Sequence, residues 1–461
     1  MQVLFPMLPV STAHIPQTKF PLTAKSYPAT ITSKRQIPYY NKAMSKIKIK
    51  NFGPIKEGYQ DGDGWLDVKK VTVFIGNQGS GKSVAAKLIS TFSWIEKALT
   101  RGDYNIKHFG RKNKLKKPYL KYHRLDNYFT SAEKHRNVEI SYKGDSYHME
   151  YERGNLCIQE AKNGSYPLPQ IMYVPAERNF IANVKTPKAL KLISDSLIEF
   201  VTEFDNAKNE MRGAMPLPIN GVDIEYDKLN DIVNIKGKDY KVRLTEASSG
   251  FQSLVPLYLV SWYLANSVKK QSERAKEPMS SDELSRFKKG VDAIWSDESL
   301  SDEQRRVALS VLSAKFNKTA FINIVEEPEQ NLFPDSQWQM LKSLLEFNNM
   351  NAGNKLIVTT HSPYVINYLS IAIQGEYLLK KINKSSKSKN LIEKLEKIIP
   401  VKSVVPATDV VVYQLDESNG TIVKLPNPEG IPSDKNYLNQ SLRHGNEMFD
   451  KLLEIEEELW V

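Results

Sequence analysis

The stretch Val71-Thr72-Val73-Phe74-Ile75-Gly76-Asn77-Gln78-Gly79-Ser80-Gly81-Lys82-Ser83 decides how the chain is read. An apolar, β-branched run is followed by G-x-x-x-x-G-K-S, and then Val84, Leu88, Phe92, Ile95 and Leu99 recur at helical spacing. The order is strand, glycine-rich loop, helix. Such a loop turns its backbone N–H groups toward an anion, and the helix N-terminus adds a favourable dipole. Residues Gly76, Asn77, Gln78, Gly79, Ser80, Gly81, Lys82 and Ser83 are therefore read as a cradle for the phosphates of a nucleoside triphosphate, ATP in the first place. Lys82 reaches the β- and γ-phosphates and the Ser83 hydroxyl ligates Mg²⁺. Ordinary glycine and lysine frequencies would give such a match by chance in about one or two chains of this length in a hundred.

Further along, two more apolar runs end in polar residues. Ala320-Phe-Ile-Asn-Ile-Val325 leads into Glu326-Glu327-Pro328-Glu329, and Lys355-Leu-Ile-Val-Thr-Thr360 leads into His361-Ser362-Pro363. Continuous apolar runs of this length suit parallel strands buried on both faces, beside the strand that carries the phosphate loop. Glu326 then faces the metal, directly or through water, and Glu327 is placed as the general base that polarises the attacking water. His361 is expected to contact the γ-phosphate. Set against this, Glu326 and Glu327 also suit a charged helix start after a buried strand, and a lone histidine is more often structural. A weaker element is Ala247-Ser248-Ser249-Gly250-Phe251-Gln252, before the apolar run Leu254 to Leu264; alone it reads as an ordinary helix cap.

The net charge of +11 invites a nucleic-acid reading. Residues 1–45 carry five Lys/Arg and no acid, and residues 107–124 carry eight and no acid. These thirteen charges exceed the whole net charge, so the body is close to neutral. In 107–124 the cations are interleaved with His108, Tyr119 and Tyr122, which suits phosphate contact and stacking on bases; the same run also reads as a solvated loop. Residues 1–45 hold six prolines and no periodic pattern. They are expected to be a disordered extension, with Met44 as a functional start.

The 461 residues, 41% hydrophobic and 25% charged, fit ordinary globular usage and more than one lobe. The single cysteine, Cys157, excludes a disulfide framework within one chain. With neither an apolar span of membrane length nor a signal peptide, a cytoplasmic location and no membrane partner are expected. Alternation over Ile47 to Ile55 suggests a first strand, and Val138, Ile140 and Tyr142, with turns at Gly144-Asp145 and Gly154-Asn155, suggest antiparallel hairpins. Thr186-Pro187 with Leu190, Ile193, Leu197, Phe200 and Phe204 predicts an amphipathic helix, and capping boxes at Ser280–Glu283 and Ser301–Gln304 open two more.

In the order phosphate loop, Ser-Ser-Gly, Glu-Glu, His, these residues resemble the ABC-type ATPase head of the RecF, OLD and SMC group. The resemblance spans about residues 46–375. It is strongest to stand-alone AAA-family ATP-binding proteins in which Glu-Glu-Pro-Glu-Gln-Asn-Leu-Phe-Pro (326–334) and Thr-Thr-His-Ser-Pro (359–363) recur, with Tyr173-Val-Pro-Ala-Glu-Arg178 as a further likeness. It implies an α/β fold: a mainly parallel sheet, an antiparallel β lobe, and a helical signature lobe inserted at about 180–315. Residues 376–461 complete that fold without a separate nuclease domain. It also implies a slow ATPase acting as a homodimer or higher homo-oligomer, in which Ser248, Ser249 and Gly250 of one subunit touch the γ-phosphate held by the other. Glu326 stands where an aspartate is usual and Ser249 where a glycine is usual, so looser metal contact and slower turnover are implied. Gln170 is the candidate for the family's Q-loop glutamine. Only 100 residues follow His361, and a nuclease role for Arg443-His444 is set aside as a surface pair. The resemblance suggests a switch subunit that controls a separate effector, a nuclease or toxin, in bacterial anti-phage defence. The alternative is a RecF-like repair clamp gripping DNA through 107–124.

Overall fold

Successive side chains of the central strands point to opposite faces, and both faces are covered, which places two apolar cores on one sheet. The computed structural model describes residues 45–101, 103–129, 138–161, 168–184, 194–274, 281–314, 319–385 and 388–458. The N-terminal extension, the helix start at Thr186 to Ile193 and Ser280 of the first capping box lie outside them.

The strands, in chain order, are β1 (Ser45–Lys50), β2 (Gly58–Tyr59), β3 (Leu66–Val68), β4 (Val71–Gly76), β5 (Glu139–Lys143), β6 (Tyr147–Glu152), β7 (Asn155–Glu160) and β8 (Pro169–Val174). They continue as β9 (Met215–Pro216), β10 (Asp223–Asp227), β11 (Ile232–Lys236), β12 (Lys241–Arg243), β13 (Ala320–Glu326), β14 (Lys355–Thr360), β15 (Val410–Leu415) and β16 (Thr421–Lys424). The main sheet has the order β2-β16-β15-β4-β14-β13-β8. From β15 to β8 all neighbours are parallel, with Val73 beside Val358 and Val412, and Ile324 beside Ile357 and Tyr173. All seven residues of β13 are buried, as a parallel strand covered on both faces requires. Val71, Val73 and Ile75 point into one core, Phe74 into the other.

On the Phe74 face lie helix α1 (Lys82–Thr100) and the antiparallel sheet β3-β1-β5-β6-β7. Val84, Leu88, Phe92, Ile95 and Leu99 of α1 are all buried there, the set the helical spacing selects. A four-residue helix, α2 (Ile106–Phe109), follows α1. Opposite lie α3 (Asp195–Glu210), α4 (Ser249–Arg274), α7 (Pro334–Asn349) and α8 (Pro363–Ile382). Leu197, Phe200 and Phe204 are on α3. Helices α5 (Ser281–Ser296) and α6 (Asp302–Ala314) precede β13, while α9 (Ser388–Glu396) and α10 (Tyr437–Glu458) lie on either side of β15 and β16 in the chain. At the start of α6 the capping box is made as expected: Gln304 N–H donates to Ser301 Oγ at 3.2 Å, and Ser301 N–H to Gln304 Oε1 at 2.8 Å.

Two expectations need correction. The segment 180–315 is not helical throughout: β12-β11-β10-β9 form a four-stranded antiparallel sheet between α3 and α4, with Ile224 opposite Ile235 and Tyr226 opposite Val233. The basic run 107–124 is not a loop with outward aromatics. Tyr119 and Tyr122 are buried, and His108 Nε2 lies 2.9 Å from Tyr119 Oη. The Arg306 guanidinium of α6 sits 3.7 Å from the Tyr122 ring centre and 4.7 Å from that of Trp94 on α1. The aromatic spacing serves a cation-centred core, and those rings are not presented to bases. Lys107, Arg111, Lys112, Lys117, Lys121 and Arg124 remain exposed.

Candidate functional site

Three neighbouring parallel strands, β4, β14 and β13, end at one edge of the main sheet, and each delivers one sequence motif there. The loop after β4 is shaped by two glycines. Gly76 has φ +145°, and a Cβ on it would lie 2.3 Å from the Leu415 carbonyl oxygen. Gly81 has φ +104°, and its Cβ would meet Ile55 at 2.7 Å. Any side chain at either position would displace the loop. Ser80 Oγ donates to the Asn77 carbonyl at 2.8 Å, and Asn77 Nδ2 to Glu417 at 2.7 Å. Asn77, Gln78 and Gly79 form the exposed tip, and Ser83, the second residue of α1, is half-buried.

Lys82 is buried, and its ammonium donates to the carbonyls of Gly76 at 2.9 Å and Asn77 at 2.7 Å. Burial lowers its pKa to about 8 against the opposing pull of Glu327, Glu329, Glu417 and Glu326. Phosphate oxygens are better partners for that cation than neutral carbonyls. The loop thus holds a cation ready for a polyanion.

After β13 the chain turns sharply. Glu327 has φ +45°, a left-handed conformation uncommon for glutamate. Its N–H donates to the Thr359 carbonyl of β14 at 2.9 Å, which fastens the turn to the neighbouring strand. Its Oε1 lies 3.5 Å from His361 Nε2. Burial, and then the nearby Lys82 charge, lower the His361 pKa despite Glu327 and the Gly76 backbone, so the ring is neutral at pH 7. Glu327 and His361 are thus brought together beside the phosphate-loop lysine.

Glu326 is buried at the end of β13, and its Oε2 accepts the Ala176 N–H at 3.4 Å, while among the described residues Oε1 has no hydrogen-bond partner. An unpaired buried carboxylate oxygen fits a metal ligand. Among the described residues no group of three or more His, Cys, Asp or Glu side chains could hold an ion by itself. Mg²⁺, which commonly uses one or two protein ligands together with substrate phosphates, fits Ser83 and Glu326 better than a metal needing a full protein cage.

Ser248 and Ser249 are exposed at the start of α4, and Gly250 packs on the same turn: a Cβ there would lie 2.9 Å from the Asn331 carbonyl oxygen. Among the described residues, no hydrogen bond joins 248–250 to Gly76–Ser83. Gln170 pairs with Phe321 at the start of β8, whereas Val174 and Val325 pair near the site end. It lies at the far end of the strand and is not a site residue.

Two residues were given no role from sequence. Glu329 Oε1 accepts from Thr360 Oγ1 at 2.8 Å and from the His361 N–H at 2.7 Å, locking the two strand ends together. Burial raises its pKa, against those hydrogen bonds. Arg178, fully buried beyond β8, donates to the carbonyls of Glu326 and Glu327, each at 2.7 Å. Both residues lie within quoted motifs, which is the only signal the sequence offered.

Residues 303–366, which include Glu326, Glu327 and His361, match the family model described as AAA ATPase domain. No curated protein matches the chain. Solved structures similar to it include the SMC head domain from Thermotoga maritima, 11% identical with a TM-score of 0.33, covering 83% of this chain and 98% of that one. The Smc head domain of Pyrococcus furiosus, with an extended coiled coil and bound to the C-terminal domain of ScpA, is 10% identical with a TM-score of 0.32, covering 88% and 99%. A dimeric bacterial ABC transporter cassette is 12% identical with a TM-score of 0.20, covering 70% and 91%. The chain thus sets a glycine-rich phosphate loop beside ordered parallel strand ends, and residues 303–366 match an AAA ATPase domain. No helix among the described residues is long and apolar enough to cross a membrane.

Proposed function

We propose that the protein is an ATP-hydrolysing switch whose two copies close on two ATP molecules and thereby control a separate effector protein. The observation that carries this reading is the convergence of Lys82, Glu327 and His361 at adjacent strand ends, while Ser248 and Ser249 stand exposed on α4. A site that holds a base and a phosphate cation but keeps its Ser-Ser-Gly turn outward is completed by a second copy.

Glu327 accepts the proton of a water whose oxygen attacks the γ-phosphorus. The bond to the bridging oxygen breaks, and ADP and phosphate leave. Neutral His361, its Nε2 3.5 Å from the Glu327 carboxylate, carries one N–H, which it offers to the γ-phosphate. Mg²⁺ on Ser83 and Glu326 would neutralise phosphate charge. The effector, a nuclease or toxin of an anti-phage system, is implied by family resemblance, as are a slow rate and a cytoplasmic setting. In this arrangement residues 46–375 form the ATPase head, and 376–461 complete its sheet through β15.

Glu327→Gln tests the mechanism, since it keeps shape and removes the base. Turnover should fall about 10²-fold or more with ATP affinity retained. Sedimentation should show an ATP-locked dimer that a further Ser249→Arg prevents. Wild-type turnover, or a monomer at saturating ATP, would overturn the sandwich.

The six exposed cations of 107–124 favour a second reading, a clamp on duplex DNA. That reading expects affinity to fall steeply with salt, by a log–log slope near −0.9 per phosphate contacted. Salt-independent or absent binding would remove it.

A further inference from the structure

We propose that Arg178 is a positioning residue that makes the turn carrying Glu327 and the first turns of α4 one mechanical unit. This inference rests on Glu327 being the base. Arg178 is fully buried, and among the described residues its guanidinium has no carboxylate within ion-pair distance. It is held instead by four backbone carbonyls from three segments. Nη1 donates to Glu326 at 2.7 Å and Pro175 at 3.3 Å, Nη2 to Glu327 at 2.7 Å, and Nε to Ser253 of α4 at 3.1 Å. Only a planar fork with five N–H groups reaches acceptors spread in this way.

What the fork holds is a strained residue. A left-handed glutamate persists only where its surroundings over-determine it. Here the Thr359 carbonyl fixes the Glu327 N–H and Arg178 fixes its carbonyl, so the peptide planes on both sides are set. Release of the second plane would let the backbone relax toward the β or right-handed region and carry the carboxylate away from His361. A second tie runs alongside: Asn331 Nδ2 donates to Ser253 Oγ at 3.0 Å, and Gly250 packs against the Asn331 carbonyl. A push on exposed Ser248 or Ser249 therefore reaches the Glu327 backbone through Ser253 and Arg178, without passing through the phosphate loop. Contact with the nucleotide of one site would in this way set the base of the other.

The test compares ATP affinity, from equilibrium binding, with turnover in Arg178→Lys and Ser253→Ala. Arg178→Lys keeps the charge and loses the fork. Its kcat should fall about tenfold or more, in the range for a displaced catalytic group, with ATP Kd within twofold of wild type. Ser253→Ala leaves the carbonyl that Arg178 holds and removes only the Asn331 tie, so it should lower kcat about threefold, again with Kd unchanged. In the Glu327→Gln background, Arg178→Lys should cost nothing further, because the base it positions is already gone. A soluble Arg178→Lys protein with wild-type kcat overturns the proposal. So does a Kd that weakens in step with kcat, or a loss that multiplies with Glu327→Gln. Should Arg178→Lys fail to fold, Arg178→Gln, which keeps two N–H donors and loses the fork, decides instead, and an unchanged kcat rejects the coupling. Wild-type turnover in Glu327→Gln would instead reject the base, whatever Arg178 does.

Discussion

The turn after β13 and the basic run 107–124 both looked functional in sequence, and the structure treats them in opposite ways. At 326–331 the polar groups converge: Glu327 meets His361, Glu329 holds Thr360 and His361, and Glu326 keeps an oxygen with no hydrogen-bond partner among the described residues. At 107–124 the residues part, with Tyr119 and Tyr122 turning inward onto Arg306 and six cations staying in solvent. A motif tied to a strand end inherits its geometry from the sheet. A motif defined by composition inherits none, because any irregular segment can bury its rings and expose its charges.

The most severe way to break the first half of this comparison is Lys82→Ala. It removes the cation that two carbonyls hold ready, and ATP affinity should drop by about 10²-fold or more, given the strength of charge-assisted hydrogen bonds. Retained nanomolar-to-micromolar binding, measured by titration calorimetry, would detach the loop from phosphate recognition. On the other side, Tyr119→Ala should destabilise the fold by about 3–5 kcal/mol, the cost of emptying a large buried aromatic site. If Tyr119 were a stacking platform instead, its loss would leave the melting temperature unchanged. Neutralising Lys112 and Lys117 together should shift stability by no more than about 0.5 kcal/mol, since both are exposed.

The same contrast explains what the sequence disclosed. Buried parallel strands announce themselves as unbroken apolar runs, so β4, β13 and β14 and the residues at their ends were legible. The helix α1 was legible because its five apolar positions repeat at helical spacing. The sheet β9 to β12 left a period-two trace in Ile224, Tyr226, Val233 and Ile235, but its short strands are rimmed by charge and lie between strong helical patterns. Arg178 left no trace of its role. Its partners are backbone carbonyls, which are the same in every sequence and come together only through the fold.

A pH dependence sharpens the claim that Lys82 waits in the phosphate loop. Burial brings its pKa down to about 8, whereas an unfolded chain holds that proton to about 10.4. ATP binds the charged form, and its phosphates hold the proton in place, so affinity should be nearly constant from pH 6.5 to 7.5. It should then weaken by about tenfold by pH 9, as the free lysine loses its proton. The pKa of His361 is lowered from 6.5, chiefly by burial, so its titration falls below that of Lys82. The stability of the free protein should move the other way. Between pH 8 and the unfolded value the unfolded chain binds more protons at this position, so the contribution of Lys82 to stability rises with pH. Wild type minus Lys82→Ala isolates it from the other lysines. Affinity that falls while this difference in stability rises is what a buried, desolvated phosphate-loop cation requires. An ATP affinity that stays flat through pH 9.5 would show that the lysine keeps its proton, and that burial in the empty loop does not weaken it.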